Sequence, residues 1–220
     1  MAVVFDPIST AISVAALAIS SVTAWLTYGQ RGTLKMSEPA VIYFGPDGSR
    51  TGKTPGPPKV YLRALIFSTA KRGRIIESMY ATLSHDEARQ NFHVWVYGDD
   101  ALSRGSGLFV GETGVAANHH FLTSRRDQPF VFTAGDYLLE VQAKLLGDAR
   151  PLRLLSQRLH VGAAEATALL DPRNGLYFDW GPDAGRYMPH IDRRELMPEP
   201  ADLLRLLGMP VPAAAGDIED

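Results

Sequence analysis

Residues Ile8 to Tyr28 carry no charged side chain, and that stretch constrains the chain more than any other feature. At 1.5 Å per residue its twenty-one residues make a helix of about 31 Å, close to the hydrocarbon thickness of a bilayer. Eight large apolar residues, five Ala, seven Ser or Thr and one Tyr make the segment only moderately oily. Asp6-Pro7 is a good helix start and Gly29 a good stop, while Trp25 and Tyr28 fall where interfacial aromatics sit. The expectation is a transmembrane helix over residues 8–28, between an N-terminal tip of residues 1–7 and a juxtamembrane linker of residues 29–38. A secretory signal peptide fits less well, because Met1 to Pro7 includes Asp6 and no Lys or Arg.

Ser9, Ser13, Ala16, Ser20, Thr23 and Thr27 recur at alternating steps of four and three, which places them on one helix face. In lipid, a stripe of small hydroxyl residues lets helices approach closely and exchange hydrogen bonds, so these six are the candidate helix-packing residues. The competing use of the hydroxyls is bonding back to their own helix carbonyls. Arg31 and Lys35 follow the segment and no Lys or Arg precedes it. The positive-inside rule then keeps the larger part of the chain on the cytoplasmic side.

From Pro39 onward, short β-branched and aromatic runs alternate with Gly, Pro, Asp and Asn clusters, which marks an all-β region. The expected strands are Ala40–Phe44, Val60–Ser68, Ile75–Ser84, Asn91–Tyr97, Leu108–Val110, His119–Thr123, Phe130–Phe132, Asp136–Leu145 and Leu152–Val161. No helical period separates them, so the expected fold is mainly β, a two-sheet β-sandwich over residues 39–162. Lys71-Arg72-Gly73-Arg74 reads as a hairpin turn between the second and third strands. Phe132-Thr-Ala-Gly-Asp-Tyr137-Leu-Leu-Glu-Val141 resembles the corner and penultimate strand of immunoglobulin-like sandwiches. The resemblance implies that the Tyr137 hydroxyl bonds back to upstream backbone.

Several motif fragments fail on spacing. Gly52-Lys53-Thr54 ends like a phosphate-binding loop, but the Gly required five residues earlier is Asp47, and Pro55 to Pro58 stand where a helix must begin. Gly105-Ser-Gly107-Leu-Phe-Val110 has Val in place of the third Gly of a dinucleotide fingerprint. His119 and His120 are adjacent, so on a strand they point to opposite faces and do not share an ion. With no cysteine, a thiol nucleophile, a thiolate metal site and a disulfide scaffold are all excluded. No cofactor or metal is expected, and no catalytic residue is assigned.

The polar segment Gly111–Phe121 reads as a loop leading into a strand, a common position for recognition. Together with Arg72, Arg74, Arg125 and Arg126, its Glu112, His119 and His120 are the candidate binding residues. The arginines suit phosphate or carboxylate groups, anionic lipid headgroups included. A hydrolase with its site near this segment is the enzymatic alternative. Formal net charge is −2, which gives no reason to expect a nucleic-acid partner.

Charge divides unevenly, at +1 over residues 1–36, +3 over 37–162 and −6 over 163–220, so the C-terminal part is a separate compositional unit. It is expected to be an extension with short helices over residues 163–209 and a disordered acidic tail over 210–220. Tyr177, Phe178 and Trp180 bring three large aromatics among turn residues, which need a surface to pack on. Glu199 to Gly208 has the pattern of a short helix whose Leu203, Leu204, Leu206 and Leu207 need cover, from the protein itself or from a partner's groove. The expectation for the whole is a single-pass, cytoplasm-facing protein whose β domain is a protein-binding or assembly module, as a homo-oligomer or in a complex. An effector that oligomerises through its N-terminal helix is the further alternative.

Overall fold

A computed structural model of the chain describes residues 6–29, 32–47, 56–99, 101–124 and 130–193. Helix α1 (Pro7–Ala24) opens with Asp6 as its N-cap, whose carboxylate accepts from the Ile8 amide at 3.1 Å. It continues into a π-helical turn over Trp25–Gly29. None of its residues is buried, and Ile8, Ile12, Leu17 and Ile19 are each more than 60% exposed. An exposed apolar surface of that kind marks a site of contact with lipid or with protein. This helix is long and apolar enough to cross a membrane.

The rest of the described chain is mainly β. In chain order the strands are β1 (Leu34–Met36), β2 (Val41–Pro46), β3 (Pro58–Ser68), β4 (Arg74–His85), β5 (Ala88–Phe92), β6 (Val94–Gly98), β7 (Ser103–Arg104) and β8 (Leu108–Val110). After these come β9 (Val115–Leu122), β10 (Gly135–Leu145), β11 (Leu152–Val161), the short helix α2 (Ala163–Ala168), β12 (Asn174–Gly181) and β13 (Arg186–Arg193). Two antiparallel sheets result. The larger runs β13-β12-β2-β3-β9-β6-β7, with β1 also on β3; the smaller runs β11-β10-β4-β5, with β8 also on β4.

Period-two burial explains why these residues form strands. On β10, Tyr137, Leu139, Val141, Ala143 and Leu145 are buried while the residues between them are not. Ile42, Phe44, Val60, Leu62 and Phe121 from the larger sheet join Ile76, Leu83, Leu139 and Val141 from the smaller in one hydrophobic cluster. Each such side chain contributes about 1.5–3 kcal/mol by leaving water. Phe132 closes one end of the cluster, stacked on Phe44 with ring centroids 5.2 Å apart. The Tyr137 hydroxyl donates to the Thr133 carbonyl at 3.0 Å and accepts from the Thr133 amide at 2.9 Å. That is the upstream backbone bond expected of this segment.

The structure corrects four details. The Lys71–Arg74 turn is no hairpin: β3 lies in the larger sheet and β4 in the smaller, so the turn is a corner between sheets. Residues 91–97 are two strands, because the chain leaves the smaller sheet after Phe92 and joins the larger at Val94. Phe130–Phe132 forms no strand; its rings pack edge to face across the end of the core. Finally, β12 and β13 add a hairpin to the larger sheet beyond residue 162, with β12 paired to β2 from Leu176↔Phe44 to Asp179↔Val41.

Candidate functional site

The face of the larger sheet turned away from the core carries a row of rings in cross-strand register. His190 of β13 stands opposite Tyr177 of β12, Tyr177 opposite Tyr43 of β2, Tyr43 opposite Tyr61 of β3, and Tyr61 opposite His120 of β9. Ring centroids follow at 5.5, 4.8, 6.5 and 4.8 Å along the row. Their chain neighbours Ile42, Phe44, Val60, Leu62, Leu176 and Phe178 point into the core, so alternation sends all five rings to the opposite face. Tyr43 lies flat over Gly45 and Gly175, where a β-carbon at either position would meet its ring or hydroxyl. Those two glycines are therefore what let the centre of the row sit down on the sheet.

Polar groups flank the rings. The Arg63 guanidinium reaches Asp99 at 2.7 Å and Asn118 Oδ1 at 2.9 Å, and the Tyr61 hydroxyl donates to the same Oδ1 at 3.0 Å. Lys59 pairs with Asp47 at 2.9 Å and sits 5.5 Å from the Tyr43 ring centre. At the other end His190 meets Asp179 at 3.1 Å. Burial raises the pKa of the Tyr61 phenol, so Tyr61 stays a neutral donor. Burial, with the Lys59 charge adding to it, pushes the His120 imidazole down to about 4. Tyr43 at the centre is 1% exposed, so what the row offers outward is His190 and half-buried Tyr177 on one side of it and half-buried Tyr61 and His120 on the other, rings suited to stacking against planar groups.

The candidate residues expected from sequence are scattered by the fold. His119 points into the core and is fully buried, while His120 lies on the outer ring row. Glu112 is exposed in the Gly111–Gly114 turn that precedes β9, whereas His119 is the fifth residue of that strand. Only this turn is loop; β9 begins at Val115. Arg74 is held by Asp148 at 2.7 Å and by the Gly32 carbonyl at 3.3 Å, and Arg72 shares a surface depression with it. Arg125 and Arg126 lie outside the described residues, as do Leu203, Leu204, Leu206 and Leu207. Among the described residues no group of three His, Asp or Glu is placed to hold a metal ion. In the helix, Ser9, Ser13 and Thr23 donate their hydroxyls to the carbonyls of Asp6, Ser9 and Ile19.

The sequence singles out Tyr177 only as one of three aromatics that need a surface to pack on, and gives no role to Tyr43, Tyr61 or His190. Each is an outward residue in a strand, and only long-range register reveals that they form one line. Comparison with protein families, with curated proteins and with solved structures finds no match to this chain.

Proposed function

We propose that this protein is anchored in a membrane by its N-terminal helix and uses a cytoplasm-facing, immunoglobulin-like β-sandwich as a non-covalent protein-binding or assembly module. The observation that carries the proposal is the helix itself: eighteen residues without a charge, six of them Ser or Thr and the rest apolar, with none buried, joined to the β region by a handful of residues. A helix of that surface is stable in lipid and not in water. Tethering confines the β domain to the membrane plane, which raises its effective concentration for partners held there. Around the buried Tyr43, the exposed His190 and the half-buried Tyr177, Tyr61 and His120 are the face offered to such a partner, since interfaces favour Tyr and its amphipathic ring.

Fractionation tests the anchor. The full chain is expected in the membrane pellet after alkaline carbonate washing, and Leu17→Arg with Ala16→Arg is expected to release it. Wild-type protein in the supernatant would end the proposal. Light scattering in mild detergent tests the module. The expectation is a particle larger than one chain, reduced in size by Tyr177→Ala with His190→Ala. A strictly monomeric wild-type particle would count against assembly.

A further inference from the structure

We infer that the end of the β domain nearest the anchor docks on the bilayer surface, with Phe109, Ile75 and Leu146 at the edge of the hydrocarbon and Lys71 and Arg72 among anionic headgroups. This rests on the membrane anchoring proposed above. Chain geometry comes first. The helical segment ends at Gly29, and Gly32 is already fixed to the β domain. Arg74 donates to its carbonyl at 3.3 Å, and the next residue, Thr33, exchanges backbone and side-chain hydrogen bonds with Thr69. Three Cα–Cα steps span at most about 11 Å. The headgroup zone on each side of the hydrocarbon is about 5–8 Å deep. Whatever angle the helix takes, this end of the domain stays at the membrane.

The residues there fit such a surface. Ile75 of β4 pairs with Phe109 of β8, and the Leu146 amide donates to the Ile75 carbonyl at 2.9 Å. Three apolar side chains thus stand together, Ile75 and Phe109 on paired strands and Leu146 in the turn after β10, with Phe109 and Leu146 58% and 59% exposed and Ile75 36%. Phe109 rests against Gly73, whose φ of +65° and missing β-carbon let the ring and the turn meet. The same turn exposes Lys71 and Arg72. Arg74 and Asp148 neutralise one another, and exposed Glu112 is the acidic residue of the neighbouring turn. An exposed apolar triple rimmed by lysine and arginine matches the boundary between acyl chains and anionic headgroups.

The absence of cysteine makes the test direct, because any introduced thiol is unique. Full-length variants Phe109→Cys, Leu146→Cys, Ala163→Cys and Leu17→Cys are spin-labelled and reconstituted in nanodiscs containing phosphatidylglycerol. Ala163 follows the far end of β11 and serves as the water-exposed reference. Labels at 109 and 146 are expected to be several-fold more accessible to oxygen, relative to a nickel chelate, than the label at 163. That preference is expected to shrink when the lipid is wholly zwitterionic, or with Lys71→Glu and Arg72→Glu. Labels at 109 and 146 as nickel-accessible as the one at 163 would overturn the inference, and so would spin–spin broadening that shows a second copy covering the patch. The label at Leu17 separates the two failures: if it too lies in water, the anchoring reading falls, whereas if it lies in lipid, only the docking falls.

Discussion

Trp95 donates its indole N–H to Nδ1 of His119 at 3.2 Å, so the imidazole carries its own proton on Nε2. That Nε2 is buried and has no hydrogen-bond partner among the described residues. Trp95, Tyr97 and His119 stack at centroid distances of 5.0 to 6.4 Å, which walls the ring in with other rings. Burial, helped by repulsion from His120, pushes the His119 pKa down to about 4 from 6.5. A depressed histidine pKa means that the unfolded chain binds the proton more readily than the folded one. Stability from this group is therefore complete above pH 6.5 and is lost as pH falls from 6.5 to 4, by on the order of 3 kcal/mol. His120 acts in the same direction but more weakly, since solvent reaches it. Equilibrium unfolding across that window is expected to show the loss in the wild type and a shallower slope in His119→Gln, which keeps an acceptor for Trp95 but does not titrate. Equal slopes in the two proteins would remove His119 from the account.

At the scale of elements, the C-terminal hairpin decides how much chain the domain needs. Phe178 of β12 is 1% exposed and packs edge to face on Phe44 at 5.2 Å, and Leu176 beside it is fully buried. Phe178→Ala is expected to cost about 3–5 kcal/mol in denaturant unfolding of the full chain, as for a core phenylalanine. A cost below about 1 kcal/mol would mean that β12 is an appendage rather than part of the domain. The sequence made most strands legible, because their runs of β-branched and aromatic residues between turn formers, and the alternation of buried and open residues along β3 and β10, are local properties. It also made the Tyr137 corner legible, since the hydroxyl and its Thr133 partner are four residues apart. What stayed hidden depends on distant pairing. Residues 71–74 have good turn chemistry, but nothing local says whether a turn stays within a sheet or crosses between two. Residues 91–97 read as one strand because His93 does not interrupt the apolar run where the chain changes sheets. The aromatics at 177–180 announced a packing surface without announcing a strand, as Asn174, Gly175 and Gly181 are turn formers. The ring row needed the registers of five strands at once.

For the molecule as a whole, orientation is the property with the smallest margin. The proposed anchor carries no charge between Pro7 and Gly29, so under the positive-inside rule the flanking lysine and arginine would set the side on which the β domain lies. Arg31 and Lys35 stand on the domain side, and residues 1–6 hold none. Two charges are a bias that substitution can reverse. With Ala163→Cys as the sole thiol, a membrane-impermeant maleimide is expected to leave the protein unlabelled in intact cells and to label it after lysis. Moving the charges, with Arg31→Glu and Lys35→Glu beside Ala2→Lys and Val3→Lys, is expected to make the thiol reactive from outside. Labelling of the parent in intact cells would place the β domain on the opposite side. It would leave the anchor and the docking end as they are, because a tether of about 11 Å holds that end to whichever surface the helix emerges from.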